Sequence, residues 1–350
     1  MHQTEKAFRA IARGGLGQIR TRGIGLLLIL ICMTVIVSAC GKQANTNVKQ
    51  AEETPASTAS NEGAQTQFIK HGFGETEVPL HPKRVAVFGL EDIMLSLEAP
   101  MVYAYGFKGY YLEEQLNKLN IKLSNNTNFE PSYEQILASQ PDLIIVQQYS
   151  IDQSRYEELS KIAPTIAFAP DDWRSSIVVI GKALGLEDKA QAVLKAHDEK
   201  IEQAKKAVTD AVGTDKTVVY MRPSEKDLQV FFPSFSFVYT AFGLNPDASI
   251  AEFQKETSDD WGINTSLEKL PTITADYIFA IYGGSIDTEE EVQKQLDSSA
   301  ALEKLQVWKA IPAVKENHVF KVSPRHWMSS GPIAESKQME DVVAAVTGKK

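Results

Sequence analysis

An unbroken amphipathic pattern over residues 187–212 restricts the folds that this chain can adopt. Apolar residues return there at spacings of three and four, with Lys and Glu on the opposite face, which predicts one helix. Gly185 ends a shorter helix predicted over residues 174–184, and Gly213 ends the long one. At about 1.5 Å per residue the long helix spans about 39 Å. It can therefore run from one globular lobe to another, and it would permit only limited hinge closure.

Short apolar runs alternate with helical patterns on both sides of this helix. Such runs, ended by Gly and Pro, are typical of buried parallel strands in α/β units. The predicted strands are 84–88, 101–105, 143–146 and 165–168 before the helix, and 218–221, 277–280 and 318–322 after it. The chain is therefore predicted to be an α/β protein with two α/β lobes, parallel-type sheets and one long connecting helix. A ligand cleft is expected between the lobes.

Two segments related by an offset of 134 residues support two similar lobes. Residues 132–145 and 266–279 carry identical Ser, Glu, Asp and Ile at matched positions. The physical reading is the same for both segments: the Ser caps a helix, the Glu sits in its first turn and the Asp precedes a buried strand.

The first forty residues predict export and lipid anchoring. Basic residues precede an apolar run over 24–37 that is too short for a membrane-spanning helix, which is typical of a secretory signal. The small residues that lead to Cys40 resemble a bacterial lipobox, whose cysteine carries diacylglycerol and palmitate. The alternative is an ordinary secretory signal with an unrelated cysteine at this position.

These patterns divide the chain into five parts. The segment after Cys40 has almost no apolar residue larger than Ala and is predicted to be a flexible tether. The predicted parts are a signal peptide (1–39), the lipidated cysteine with its tether (40–66), an N-terminal α/β lobe (67–174), a helical bridge (175–213) and a C-terminal α/β lobe (214–350).

Charge and cysteine content exclude several functions. A net charge of −9 argues against a nucleic-acid partner. The second cysteine, Cys32, lies inside the predicted signal, so the exported chain has none for a disulfide, and six scattered histidines predict neither a protein-built metal site nor a cofactor. No Gly-x-Ser-x-Gly elbow, P-loop or Gly-x-Gly-x-x-Gly motif occurs. An enzyme is therefore not expected, and an exported lipoprotein hydrolase is kept only as the alternative outside transport.

At this point the chain resembles the substrate-binding lipoproteins of ABC importers for iron siderophores, haem and cobalamin, over roughly residues 72–348. The motifs that carry the resemblance are VPLHPKRVAV (78–87), EQILASQPDLII (134–145), KIAPTIAF (161–168) and WKAIPAVKENHV (308–319), together with the bridging helix. The resemblance implies two lobes with ligand held between them. It also implies a monomer anchored on the outer face of the cell membrane, with Glu134 and Glu268 docking onto a permease that works with a cytoplasmic ATPase.

Ligand-binding residues are expected in the loops that follow the strands, because ligands of open α/β sheets bind beyond the strand carboxyl ends. Aromatic and cationic side chains from both halves occur in these loops and suit flat walls and bidentate contacts to carboxylate or hydroxamate oxygens. The candidates are Arg222, Trp327, Arg325, Lys108, Tyr105, Trp173, Tyr149 and Tyr282. Of the other tryptophans, Trp308 is predicted to lie in the core, and Trp261 is left open between core and loop.

The ligand favoured by these residues is a ferric siderophore of the carboxylate, hydroxamate or citrate type. Its chelator would fill the coordination sphere of the iron, so no protein ligand to the metal is required. Haem is a second possibility, because Tyr105, Tyr149 or His326 would serve as an axial ligand. Cobalamin is a third, although it does not explain the arginines.

Overall fold

The computed structural model of the chain describes residues 65–124, 126 and 129–348. The predicted signal peptide, Cys40 and the tether up to residue 64 lie outside these described residues. The described part begins with an antiparallel hairpin of β1 (Thr66–His71) and β2 (Gly74–Pro79), which the sequence analysis did not predict. No helix in the described ranges is both long enough and apolar enough to cross a bilayer.

The N-terminal lobe contains a five-stranded sheet in which all paired strands are parallel. Its strands are β3 (Val85–Phe88), β4 (Met101–Tyr105), β5 (Lys122–Ser124), β6 (Leu143–Gln147) and β7 (Thr165–Phe168). Its helices are α1 (Glu91–Ser96), α2 (Glu113–Lys118), α3 (Tyr133–Ala138), α4 (Gln153–Ser160) and α5 (Trp173–Leu184). The strand order is β5-β4-β3-β6-β7. Alternate residues of these strands belong to two apolar clusters, one on each face, so the sheet is buried on both sides.

The predicted bridging helix is confirmed as α6 (Glu187–Val212). It follows α5 after a turn at Gly185, which adopts the left-handed conformation with φ of 69°. A side chain at this position would also collide with the imidazole of His81. Gly185 thus lets the chain reverse and start α6 within two residues.

The C-terminal lobe contains a mixed sheet. Its strands are β8 (Thr217–Pro223), β9 (Leu228–Phe231), β10 (Asn245–Pro246), β11 (Gly262–Thr265), β12 (Tyr277–Ala280) and β13 (Val319–Lys321). Its helices are α7 (Val238–Ala241), α8 (Ala248–Gln254), α9 (Glu289–Leu302), α10 (Gln306–Lys309), α11 (Pro312–Lys315), α12 (Pro324–Trp327) and α13 (Pro332–Thr347). The order is β11-β9-β8-β12-β13, with β10 also paired to β8. The pairs β8/β12 and β12/β13 are parallel as predicted, whereas β9 and β11 pair in the antiparallel sense.

The internal repeat appears as one recurring hydrogen-bond arrangement. Asp142 accepts hydrogen bonds from the backbone N–H of Lys83 (2.7 Å) and Arg84 (2.9 Å), just before β3. Asp276, 134 residues later, accepts one from the backbone N–H of Thr217 (2.8 Å) at the start of β8. The repeated aspartate therefore ties the amino ends of two neighbouring strands together in each lobe.

The helices of the repeat differ between the lobes. The first copy is α3, and the second is a 3₁₀ turn, Leu267–Thr272, that contains a proline. Ser266 caps its turn by accepting a hydrogen bond from the N–H of Glu268 (3.2 Å), whereas the side chain of Ser132 makes no such bond. The predicted Ser cap is thus found in only one of the two copies.

Candidate ligand site

An aromatic cluster lies where β4 ends, on the edge of the sheet at which the parallel strands of the N-terminal lobe finish. The ring centroid of Tyr105 is 5.3 Å from that of Phe88, 5.7 Å from Phe107 and 6.3 Å from Tyr110. The Tyr105 hydroxyl donates a hydrogen bond to the carbonyl of Asn126 (3.2 Å). Burial raises the pKa of Tyr105 to about 12, so its phenol stays neutral. Tyr105 is among the residues predicted from the sequence, whereas its loop neighbours Phe107 and Tyr110 are not.

A buried carboxyl group, Glu91, supports this cluster. Its Oε1 accepts hydrogen bonds from the backbone N–H of Gly89 (3.0 Å) and of Tyr105 (2.9 Å), which joins the end of β3 to the end of β4. The other oxygen, Oε2, is buried without a hydrogen-bond partner among the described residues. Burial raises the pKa of Glu91 to about 7. Glu91 was not predicted, because nothing in the sequence marks an acidic residue in a helical first turn as buried.

Arg325 joins the two lobes at this cluster. Its guanidinium carbon lies 4.9 Å from the ring centroid of Phe107 in the other lobe. One Nη donates a hydrogen bond to the carbonyl of Ser285 (3.1 Å), and the other lies 3.3 Å from Oε1 of Glu289. The positive charge of Arg325 is therefore already paired. Lys108, next to Phe107, is exposed.

Arg222 lies at the end of β8 with much of its hydrogen-bonding capacity unused. Its Nη2 is 2.7 Å from the sulfur of Met328, and its guanidinium carbon is 5.9 Å from the Phe231 ring centroid. The Nε atom is buried and has no hydrogen-bond partner in the described structure. Asp287 and Asp227 favour its charge from a distance, but neither forms an ion pair with it. Burial lowers the pKa of Arg222, but a guanidinium stays charged in proteins.

The predicted tryptophans are both buried. Trp327 is 2% exposed, stacks on Phe279 at 4.9 Å and donates a hydrogen bond from Nε1 to Asp341 (2.8 Å). Trp173 is also 2% exposed and donates from Nε1 to Glu335 (2.7 Å). Direct contact of either indole with a ligand stays a prediction. Little of either ring is exposed for such a contact. Trp308 is buried, as the sequence analysis expected.

The two predicted tyrosines outside β4 differ in exposure. Tyr149 is 61% exposed, and its hydroxyl donates a long hydrogen bond to Asp171 (3.4 Å). Tyr282 is buried beneath Lys321, whose Nζ is 5.6 Å from the ring centroid, and burial raises the pKa of Tyr282 to about 12. Tyr149 is thus the more accessible of the pair.

A second connection between the lobes involves the amino end of α13. Asp92 accepts hydrogen bonds from the backbone N–H of Ile333 (2.9 Å) and of Ala334 (2.8 Å), and from the Tyr111 hydroxyl (3.0 Å). Burial raises the pKa of Asp92 to about 6. Two backbone donors that would otherwise be unpaired at a helix start are thereby satisfied across the lobe boundary.

Glu335, in the first turn of α13, extends this connection to the bridge. Besides the hydrogen bond from Trp173, its carboxylate lies 3.0 Å from Nε2 of His197, a buried residue of α6. Arg174 lies 3.2 Å from Nδ1 of the same imidazole. We call Asp92, Glu335, His197 and Trp173 the interlobe clasp.

Glu134 and Glu268 are both exposed, and neither carboxylate forms an ion pair with a described residue. Glu134 lies in the first turn of α3, beside a surface depression of about 540 Å³. The residues that line it are Arg84, Val102, Lys122, Glu134, Gln135, Ala138 and Ser139. Within the described residues, no group of three or more His, Cys, Asp or Glu side chains is arranged to hold a metal ion.

Comparison with known proteins gives consistent matches along most of the chain. The sequence profile of the family described as "Periplasmic binding protein" matches residues 93–325. The iron(3+)-hydroxamate-binding protein FhuD of Bacillus subtilis is 31% identical, over 93% of this chain and 98% of that protein. The petrobactin-binding protein YclQ of the same organism is 27% identical, over 89% and 94%. The crystal structure of a periplasmic binding protein component of a Fep/Fec-like ferrichrome ABC transporter from Bacillus subtilis superimposes with a TM-score of 0.67 at 30% identity, over 79% of this chain and 99% of that one.

Proposed function

The chain belongs to the periplasmic binding protein family, and from this premise we propose that it captures a ferric siderophore between its lobes and delivers it to the permease of an ABC importer. Members of this family bind their ligands and are not enzymes, so the hydrolase alternative is set aside. The relatives named above bind ferric hydroxamate, petrobactin and ferrichrome-type substrates, which supports an iron chelate as the ligand.

The observation that carries the proposal is the unpaired guanidinium of Arg222. Arg222 is half-buried, and its buried, unsatisfied Nε is costly unless a ligand supplies an acceptor. Phe231 and Met328 flank it with apolar and polarisable surface, which suits the hydrocarbon arms of a chelator. Oxygen atoms on the rim of a ferric chelate would complete the hydrogen bonding of this residue.

The balance of charge favours a hydroxamate over a citrate or catecholate chelate. Arg325 is neutralised by Glu289, so Arg222 and the exposed Lys108 are the cationic candidates left without an ion pair among the described residues. Three hydroxamates neutralise Fe³⁺, whereas citrate and catecholate chelates keep a negative charge that needs more cations. A site with few free cations and many aromatic rings matches the nearly neutral complex.

Haem is less well supported by the three candidate axial ligands. The raised pKa of Tyr105, about 12, disfavours the phenolate that would bind iron. The Nε2 atom of His326 lies 2.7 Å from Oδ2 of Asp341. Tyr149 is the accessible one of the three.

Titration of intrinsic tryptophan fluorescence tests which complex the protein binds. The purified protein would be titrated with ferrichrome, ferric citrate, a ferric tris-catecholate, haem and cobalamin. We expect saturable, submicromolar quenching by ferrichrome, with the other complexes at least about tenfold weaker, which is about 1.4 kcal/mol of binding free energy. Tighter binding of ferric citrate or haem would reject the hydroxamate assignment, and no response to any complex would reject the siderophore function.

We further propose that Glu134 and Glu268 dock onto basic residues of the permease, while Cys40 anchors the protein to the outer face of the membrane. Reversing both charges, Glu134→Arg with Glu268→Arg, should abolish cellular uptake of iron from ferrichrome and leave the dissociation constant in solution unchanged. The control is Glu202→Arg, an exposed position on α6. Normal uptake by the double variant would refute the docking role.

A further inference from the structure

An exposed leucine lies beside the docking glutamate of the N-terminal lobe. Leu137 is 60% exposed and follows Glu134 by three residues on α3, so both side chains project from the same side of the helix. Leu137 borders a surface depression of about 510 Å³. The other residues lining it are Ala138, Gln140, Pro141 and Ile162. Because Ala138 also lines the depression at Glu134, the charged and the apolar surfaces are continuous.

The C-terminal lobe has a matching combination. Helix α10 packs against the 3₁₀ turn that carries Glu268. Leu305, just before α10, is 39% exposed and Val307, within it, is 37% exposed. A single exposed apolar residue needs no explanation. An explanation is needed, however, when both lobes combine a glutamate that has no ion pair with exposed aliphatic residues.

We propose that Leu137 and its depression form an apolar docking contact for the permease, with Leu305 and Val307 as the counterpart in the other lobe. This inference rests on the proposed function, in which Glu134 and Glu268 are the docking glutamates. The partner surface would present a basic side chain next to an apolar one, once for each lobe. The glutamates would speed association of the protein with the permease, and burial of the aliphatic residues would slow dissociation of the complex.

Charge favours the permease over a second copy of this chain as the occupant. Each apolar surface is adjacent to an unpaired carboxylate, and the chain as a whole carries a net charge of −9. Pairing two copies through these surfaces would therefore bring like charges together. A basic partner surface removes that repulsion, whereas an acidic one increases it.

Photocrosslinking in intact cells tests the contact without depending on the identity of the siderophore. p-Benzoylphenylalanine would be placed at position 137 of the full chain, and at Val178, an exposed aliphatic position of α5, as the control. We expect an adduct at 137, and none at 178, with a polytopic membrane protein identified by mass spectrometry. With the probe at exposed Gln306 instead, Leu137→Ser should lower the adduct yield about fivefold to tenfold and Val178→Ser should not.

The possible results separate this inference from the docking proposal. If no adduct forms at 137 while Glu134→Arg with Glu268→Arg still abolishes uptake, the apolar contact is overturned and the glutamate docking stays intact. An adduct between two copies of this chain at 137 would overturn the permease as occupant. The absence of adducts at 137 and 306, together with normal uptake by the Glu134→Arg, Glu268→Arg variant, would overturn both proposals.

Discussion

The proposed ligand binding depends most on Arg222, because its Nε atom is buried without a hydrogen-bond partner and no carboxylate of a described residue pairs with its guanidinium. Removing a hydrogen-bonding partner of a ligand in such a place costs about 1.5–3 kcal/mol. We therefore expect Arg222→Ala to weaken ferrichrome binding by more than about tenfold. Arg222→Lys should fall in between, because an ammonium keeps the charge and loses the planar fork. Calorimetric titration measures both. Arg155→Ala, at a half-exposed ion pair with Glu130, is the control, and an unchanged dissociation constant for Arg222→Ala would remove this residue from the site.

Glu91 makes a prediction about pH, because burial raises its pKa from 4.5 to about 7. A carboxyl whose pKa is raised on folding contributes stability below pH 4.5, and this contribution is lost as the pH rises through 7. At about 1.4 kcal/mol per pKa unit, the loss is roughly 3 kcal/mol. The amide in Glu91→Gln does not titrate, so its free energy of unfolding should fall less between pH 5 and pH 8 than that of the wild type.

Urea denaturation at the two pH values gives this difference directly. Comparing each variant with itself at two pH values cancels the constant cost of placing an amide among the backbone donors of Gly89 and Tyr105. Glu202→Gln, exposed on α6, should follow the wild-type pH dependence. An identical pH dependence for Glu91→Gln would mean that Glu91 does not titrate in this range.

At the scale of secondary-structure elements, the sequence predicted the helices and strands that have a local sequence pattern. The limits of α6, β4, β7 and β12 coincide with the predicted ranges, because each is a continuous local pattern with a glycine or a proline at its end or within three residues of it. The β1–β2 hairpin and the antiparallel β9 and β11 were missed. Their short, partly polar sequences lack the continuous apolar runs by which the other strands were predicted. β1 and β2 pair with each other, and β9 pairs with the neighbouring β8 and with the distant β11.

The predictions for the ligand site divide in the same way, between local sequence signals and tertiary contacts. Its location in the loops after the strands was predictable from the fold, and the candidates were chosen by residue type. Whether an arginine is free or paired depends on tertiary contacts, as the difference between Arg222 and Arg325 illustrates. Glu91 and Asp92 were missed for the same reason, since their burial depends on distant segments that pack over them.

The amino end of α13 carries a prediction at this scale. In Asp92→Ala the partly buried N–H group of Ile333 and the buried one of Ala334 lose their acceptor, and each buried group left unsatisfied costs about 1–3 kcal/mol. We expect faster hydrogen exchange at these two amides and a lower free energy of unfolding. Asp92→Asn keeps one acceptor oxygen and should have a smaller effect. Unchanged protection of the first turn of α13 in Asp92→Ala would show that Asp92 does not hold it.

At the scale of the whole molecule, we expect the interlobe clasp to limit how far the lobes move. One helix between two lobes restricts bending, and α13 adds a second connection through Asp92 and Glu335. We therefore expect limited closure to require both connections, because the lobes can rotate about one connection when the other is lost. The ligand would then be enclosed mainly by small movements of the loops around Phe107 and Arg325.

Small-angle X-ray scattering tests this view of the interlobe clasp. In the wild type we expect nearly the same radius of gyration with and without ferrichrome. In the double variant Asp92→Ala with Glu335→Ala, only α6 holds the lobes, so the ligand-free protein should be larger and should contract when ferrichrome is added. Glu202→Ala with Lys206→Ala, on the exposed face of α6, is the control and should scatter like the wild type. If the double variant also scatters like the wild type in both states, α6 alone restrains the lobes and the clasp contributes only to local stability.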